Sequence, residues 1–188
     1  MADAADATEE TEQTGDAEQA VAETEVPEEV LTRLSELAQE RGVRLCVVES
    51  LTSGRLASTI GAGEGASEWF GGGIVAYQTE EKERILGVTP GLDPTSAECA
   101  EQLAEGGRRL FDADLCVATT GVGGPGPENG HPAGTVYLGW SSSDGTGNRM
   151  LALSGEPEEI MDAAVAAAVK LLAFHAESLR PVGPLRQS

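Results

Sequence analysis

From about residue 27 onward the chain alternates between two hydrophobic patterns. Apolar residues recur at the spacing of an amphipathic helix after Pro27 and stop at Gly42, and the next apolar run is continuous, as in a strand covered on both faces. The same two patterns predict helices at residues 27–42, 52–60, 80–86, 95–111 and 160–174 and strands at residues 45–48, 73–77, 115–118, 135–140 and 149–153. Alternating strands and helices followed by a late hairpin predict a three-layer α/β/α sandwich around a mixed, mostly parallel sheet.

Signals at the ends of two elements add detail to these predictions. Thr95 and Glu98 follow Pro94 at the spacing of a capping box, in which each side chain bonds the other residue's backbone N–H. They are therefore predicted to begin the long helix. Asp144 and Gly145 are predicted to lie in the turn of the hairpin.

The two ends of the chain differ from the segment between them. Residues 1–26 are rich in Ala, Glu, Asp and Thr and contain no Lys or Arg. They offer little apolar surface to offset the entropy of ordering, so we expect a disordered acidic tail. We predict one folded domain over residues 27–180 and a flexible C-terminus at residues 181–188, because Pro181 and Pro184 prevent the last helix from extending.

The formal net charge is −20, from 32 acidic and 12 basic residues, and Lys82 and Lys170 are the two lysines. Binding to nucleic acid or to an anionic membrane requires cations that neutralise phosphates, so neither is expected as a partner. The scarcity of lysine favours adaptation to high salt, where screening relieves the repulsion among carboxylates. The alternative is an ordinary acidic protein with an acidic tail.

Cysteine usage and the N-terminal pattern limit the class of protein. Cys46, Cys99 and Cys116 are widely spaced and lie among apolar neighbours, with no CxxC and no Cys/His pair. We expect buried thiols rather than a disulfide framework or a metal site, and we expect no cofactor. The chain shows neither a secretory signal nor the roughly 20-residue apolar run of a membrane span, which favours a cytoplasmic protein. We also expect a homo-oligomer.

Three predicted loops carry polar chemistry at the carboxyl ends of the strands, where ligands bind in open α/β sheets. In the first, residues 49–54, Ser50 could attack a carbonyl carbon while helix N–H groups hold the resulting oxyanion. The alternative is that Ser50 and Thr52 only cap the next helix.

The second loop carries Tyr77 and Lys82, and the third is rich in glycine. In a partly dry pocket Lys82 could lose enough proton affinity to act as a base toward Ser50, whereas a lysine at a helix start is ordinarily a solvated charge. Residues 121–134 can bring backbone N–H groups to an anion such as phosphate. They match neither glycine motif for nucleotides, so a turn-rich connection containing a loop histidine, His131, is the alternative.

Together the three loops resemble one known family in the order of their motifs. Residues 47–54 are similar to its A-E-S-x-T-G-G signature, and residues 65–88 to its G-S-S-x-x-F…G-x-x-x-Y-x-x-x-x-K…L-G-V stretch. Residues 120–125 and 132–136 resemble its T-G-I-A-G-P and K-P-x-G-T-V blocks. The family is the CinA C-terminal domain, also known as the nicotinamide-nucleotide amidase, and the resemblance covers roughly residues 30–174.

The resemblance implies hydrolysis of the carboxamide of nicotinamide mononucleotide to nicotinate mononucleotide and ammonia, with no metal. It implies that Ser50 is the nucleophile and Lys82 the base or proton shuttle, while Tyr77 and Thr120 orient or polarise the amide. The same motifs imply these substrate-binding residues: Glu49, Thr52, Gly54, Gly121, Gly123, Gly124 and Thr135.

The chain departs from the family pattern where positive charge is expected. His131 replaces a lysine, residues 155–157 (Gly-Glu-Pro) replace G-D/N-R, and Met161 stands where a second arginine is common. If the missing residues bind phosphate, affinity for the nucleotide falls or the substrate differs. The alternatives to deamidation of the mononucleotide are a non-catalytic nucleotide-binding or regulatory protein and an amidase for another small carboxamide.

Overall fold

The computed structural model describes residues 24–179, so nearly all of the predicted acidic tail and the whole predicted flexible C-terminus lie outside the described residues. The helices are α1 (Glu28–Arg41), α2 (Arg55–Gly61), α3 (Ala66–Trp69), α4 (Thr79–Leu86), α5 (Ala97–Leu110) and α6 (Pro157–Ser178). The strands are β1 (Leu45–Glu49), β2 (Phe70–Val75), β3 (Leu115–Gly121), β4 (Thr135–Ser142) and β5 (Gly145–Ala152).

The strands form one sheet in the order β2-β1-β3-β4-β5. β1 is parallel to both β2 and β3, and β4 is antiparallel to both β3 and β5. β2, β1, β3 and β5 therefore point in the same direction and β4 runs against them. The predicted mixed sheet is confirmed.

Helices cover both faces of this sheet. In β1, Leu45 and Val47 point to the face covered by α1, α2 and α6, whereas Cys46 and Val48 point to the face covered by α4 and α5. All four side chains are fully buried, which explains the continuous apolar run. The prediction of three layers is confirmed, and the three cysteines are free and buried, as expected.

Several element starts differ from the sequence prediction. Helix α2 begins at Arg55 rather than residue 52, α6 at Pro157 rather than residue 160, and β5 at Gly145, which was predicted to lie in the turn. The N-cap of α5 is Ser96, whose Oγ accepts from Cys99 N–H at 3.1 Å, and the Thr95 N–H instead donates to Asp93 Oδ1 at 2.9 Å. The predicted Thr95–Glu98 capping box is therefore wrong. Strand β2 begins at Phe70 rather than residue 73, since the glycines that follow it hide the strand pattern. The glycine at position 73 lets α2 pack close, because a Cβ there would lie 2.7 Å from Ala57 Cβ.

Candidate functional site

The site is built where two parallel strands end side by side. In the register of β1 and β3, Glu49 lies opposite Thr119, so Ser50 and Thr120 follow at the same edge of the sheet. The Ser50 N–H donates to Thr119 O at 3.0 Å, which extends the pairing by one residue. The Ser50 side chain is 7% exposed, and its hydroxyl makes no hydrogen bond to any other described residue.

The loop after Ser50 is shaped by a buried carboxylate. Glu49 is fully buried, and its two oxygens accept from Gly54 N–H at 3.0 Å, Leu56 N–H at 3.0 Å and Ala57 N–H at 2.8 Å. Ionised oxygens are well suited to the N-terminus of α2, where N–H groups lack helical partners. The alternative that Ser50 and Thr52 cap this helix is wrong, because Gly54 is its N-cap and Glu49 satisfies its amides.

Lys82 projects from α4 and is 3% exposed, so the alternative of a solvated lysine is wrong. Burial lowers the pKa of Lys82, while the nearby Cys99 and Glu128 act in the opposite direction and only partly offset it. Within residues 24–179, no carboxylate oxygen lies within 4.0 Å of its ammonium group. A desolvated lysine without an ion-pair partner has the properties expected of a general base.

Two threonines at the end of β3 are held by hydroxyl hydrogen bonds. Thr119 Oγ1 and Thr52 Oγ1 lie 2.8 Å apart in the buried layer. Thr120 Oγ1 donates to Pro94 O at 2.6 Å, so its proton is engaged and its lone pairs remain available to accept. Thr120 can thus orient an amide NH2 group, whereas polarising a carbonyl oxygen would require the proton that Pro94 holds.

The glycine-rich loop is fixed by a small hairpin and by a side-chain hydrogen bond between His131 and Asp93. Glu128 and His131 exchange backbone hydrogen bonds of 3.0 and 2.8 Å around Asn129 and Gly130, both of which have positive φ, as a type I′ turn requires. His131 Nε2 lies 2.8 Å from Asp93 Oδ2. His131 is therefore more than a loop histidine, because it ties this loop to the segment that precedes α5.

The environment of Asp93 favours its charged form. Burial by itself raises the pKa of Asp93, but the hydrogen bond from Thr95 N–H and the hydrogen bond and charge of His131 outweigh it, so the pKa is lowered. Since Pro94 and Thr95 both line the pocket described next, this pair joins two of its walls.

These segments enclose a cavity of about 260 Å³. The predicted site residues that line it are Ser50, Tyr77, Lys82, Thr120, Gly121, Gly123 and Gly124. Tyr77 is 66% exposed and lies at the mouth, so its ring is accessible to a ligand.

Four predicted substrate-binding residues do not line this cavity. Glu49 and Thr52 are fully buried behind it, where their side chains bond other parts of the protein, and the Gly54 N–H is bound to Glu49. The Thr135 carbonyl accepts from Val122 N–H at 2.9 Å and supports the glycine-rich loop from outside. These four residues shape the walls rather than touch the cavity.

Several lining residues were missed by sequence reasoning. They are Leu51, Thr79, Pro94, Thr95, Glu128, Pro157 and Met161. Pro94 and Thr95 were interpreted only as a helix start, and residues 157 and 161 only as departures from the family pattern. Position within a predicted loop was the available signal for Leu51, Thr79 and Glu128.

A larger cavity, of about 640 Å³, lies between the β4–β5 hairpin and α6. Its lining is mostly apolar and includes Trp140, which stacks on His175 with ring centroids 4.7 Å apart. No serine, threonine or cysteine belongs to that lining. The smaller cavity is therefore the candidate active site.

Two further properties concern residues 24–179 alone. That part of the chain holds no cluster of three or more His, Cys, Asp or Glu side chains that could bind a metal ion. It also contains no helix that is both long and apolar enough to span a membrane.

The fold and the pocket define a class: a three-layer α/β/α domain with a serine and a buried lysine at the carboxyl ends of parallel strands. Over residues 27–175 the chain matches the CinA C-terminal domain, and it belongs to that family.

Curated relatives are similar over most of the described chain. A CinA-like protein from Frankia casuarinae is 40% identical over 140 residues, which are 72% of this chain and 32% of that protein. A putative competence-damage inducible protein from Geobacillus kaustophilus is 40% identical over 139 residues, 71% of this chain and 33% of that protein. The chain thus spans about a third of the length of these relatives.

Solved structures share the fold. The CinA superfamily protein from Klebsiella pneumoniae superposes with a TM-score of 0.76 at 29% identity, covering 80% of this chain and 98% of that one. The CinA superfamily protein from Escherichia coli gives a TM-score of 0.73 at 33% identity, covering 78% and 89% of the two chains.

Proposed function

We propose that this chain is an amidohydrolase that deamidates nicotinamide mononucleotide to nicotinate mononucleotide and ammonia, a step of pyridine nucleotide salvage. The observation that carries the proposal is the presence, in the lining of one small cavity, of Ser50 and of a buried lysine whose pKa is lowered. A serine needs a base to become a nucleophile, and a neutral lysine can be that base.

In the proposed reaction, Ser50 Oγ attacks the carboxamide carbon and its proton passes to Lys82 Nζ. The C–N bond then breaks and Lys82 returns the proton to the leaving nitrogen, which departs as ammonia. Water, deprotonated by Lys82, attacks the resulting ester, and Lys82 passes that proton to Ser50 Oγ as the C–O bond breaks. The carboxylic acid formed loses its remaining proton to solvent and leaves as the nicotinate carboxylate. Neither half-reaction requires an oxidant, a reductant or a metal.

Neighbouring groups supply binding and charge stabilisation in this proposal. Gly123 and Gly124 line the cavity, and no hydrogen bond from either backbone N–H to another described residue is formed, so we assign these N–H groups to the oxyanion. Thr120 accepts from the amide NH2 group through a free lone pair, and Tyr77 covers the ring at the mouth.

The test is ammonia release from nicotinamide mononucleotide, measured in dilute buffer and in molar KCl. We expect Ser50→Ala and Lys82→Ala each to lower kcat by about 10³-fold or more while the protein stays folded, and the double variant to lose little further, because the two groups act as one unit. Ser58→Ala, a change at an exposed serine of α2, is the control and should retain full activity.

Wild-type turnover in Ser50→Ala would overturn the serine mechanism. Tight binding of the nucleotide without turnover in the wild type would instead support the alternative of a non-catalytic nucleotide-binding protein.

A further inference from the structure

The charged side chains that line the pocket limit which part of a substrate it can recognise. Among the described residues that line the cavity, Lys82 is the one cation and Glu128 the one carboxylate. Lys82 is buried and, in the proposed mechanism, must be neutral to act as a base. No other lining side chain can balance the negative charge of a phosphate.

Two basic side chains of the surrounding segments are already engaged. Arg55 pairs with Asp162 at 2.6 Å and with Glu158 at 3.5 Å, and it faces a separate surface depression rather than this pocket. His131 pairs with Asp93 at 2.8 Å. Binding a phosphate through either side chain would require breaking its existing contact with a carboxylate.

Two helix N-termini line the pocket, and both carry carboxylates in their first turn. Helix α4 begins at Thr79, which lines the cavity, and continues with Glu80 and Glu81. Helix α6 begins at Pro157, which lines the cavity and has no N–H to donate. A capping box joins Glu156 and Glu159, with Glu156 N–H donating to Glu159 Oε2 at 2.7 Å, and Glu158 adds another carboxylate in the first turn. These carboxylates occupy the positive end of the helix dipole, where a phosphate would otherwise bind.

The glycine-rich loop also presents negative charge to the pocket. It offers the N–H groups of Gly123 and Gly124, but Pro125 and Pro127 have none. The same loop presents Glu128 to the pocket, and the hairpin hydrogen bonds to His131 hold its backbone in place. A carboxylate at this position repels a phosphate and attracts a cation.

We propose that the pocket recognises a positively charged pyridinium carboxamide and not its phosphate, with Glu128 pairing with the charge of the ring. This inference rests on the proposed function and refines its substrate class. The nucleoside that lacks the phosphate, nicotinamide riboside, is then hydrolysed with a kcat/KM equal to or above that for the mononucleotide. Glu128 is then a specificity-determining residue for the ring, and Met161 is a lining position at which a cation can be introduced.

The experiment compares kcat/KM for nicotinamide riboside and nicotinamide mononucleotide in the full chain, in both dilute buffer and molar KCl. We expect a riboside-to-mononucleotide ratio of about one or higher in the wild type. Met161→Arg should raise kcat/KM for the mononucleotide by about tenfold and leave the riboside unchanged, since one added cation reaches only the phosphate. Glu128→Gln should raise KM for both substrates several-fold, with a smaller loss for the mononucleotide because the variant also relieves the repulsion of its phosphate.

Glu40→Gln removes an exposed carboxylate of α1 and serves as the charge-matched control, with both substrates unaffected. A preference of more than about 100-fold for the mononucleotide in the wild type, or unchanged KM values in Glu128→Gln, would overturn this inference while leaving the amidase proposal standing. Failure to release ammonia from either compound would refute the proposed function itself.

Discussion

Replacing Glu49 with glutamine turns one oxygen of a fully buried carboxylate into an NH2 group and leaves the size of the side chain almost unchanged. Oε2 accepts from the N–H groups of Gly54 and Leu56, and Oε1 accepts from that of Ala57. Glutamine keeps one acceptor oxygen, so at least one of the three hydrogen bonds is lost. The new NH2 group then faces a backbone N–H, and two donors oppose each other in the interior.

The loss of folding free energy can be worked out from these three hydrogen bonds. A hydrogen bond to a charged group contributes about 1.5–3 kcal/mol, and a buried donor without a partner costs about 1–3 kcal/mol. The orientation that keeps Oε2 as the acceptor loses one bond and leaves one N–H unpaired, which amounts to a loss of about 3 kcal/mol. That is a large part of the roughly 5–15 kcal/mol by which a domain is stable. Ser50 follows directly in the chain, so we also expect kcat to fall by about tenfold through misplacement of its hydroxyl.

Urea unfolding at fixed salt measures the change for wild type and Glu49→Gln. Glu40→Gln removes the same charge from an exposed position and should stay within about 0.5 kcal/mol of the wild type. If Glu49→Gln also stays within that range, the carboxylate does not hold the loop and the argument is refuted.

Three further predictions concern the other charged groups. Lys82→Met should abolish ammonia release and raise the free energy of unfolding by about 1 kcal/mol, because methionine occupies similar space without an ammonium group to desolvate; a lower Tm would contradict this. Asp93→Asn should destabilise the domain at neutral pH, and the difference in Tm should shrink as the pH falls below about 4. The reason is that the pKa of Asp93 is lowered in the folded state, so the ionised carboxylate stabilises the fold above its ordinary pKa and this contribution disappears on protonation. A difference in Tm that does not change with pH would count against the contacts of Asp93 with Thr95 and His131. The wild-type Tm should rise from dilute buffer to molar KCl, since screening relieves the repulsion of a net charge of −20, and a Tm unaffected by salt would argue against adaptation to high salt.

The layer architecture could be predicted because its signals are local. The apolar runs of β1 and β3 indicated strands covered on both faces, and Gly42 ends α1 in the left-handed conformation, with φ 62°, as its position after a helical pattern suggested. Strand β2 was placed too late, because its pairing with β1 is decided by close packing against α2 rather than by the propensity of its own residues.

The electrostatics of the site could not be predicted, because they depend on contacts between distant parts of the chain. Asp93 and His131 are 38 positions apart, and nothing in either local sequence indicates an ion pair. Glu49 was assigned to substrate binding through its motif, yet its carboxylate serves the amides of α2. The burial of Lys82 likewise depends on packing against the segment that carries Cys99, which a helical pattern around residue 82 does not reveal.

The proposed mechanism needs Lys82 to be neutral, and this need connects its lowered pKa with the shortage of free cations around the pocket. A phosphate placed beside Lys82 would favour its protonated form and raise its pKa, which removes the neutral amine that the proposed mechanism needs. A pocket can combine a lysine base with phosphate recognition if other groups, a separate cation or backbone N–H donors, hold the phosphate away from the lysine. In the described part of this chain Arg55 and His131 are committed to Asp162 and Asp93. In the proposed mechanism, Lys82 therefore stays neutral when the positively charged pyridinium ring, and not the phosphate, is the part of the substrate nearest to it.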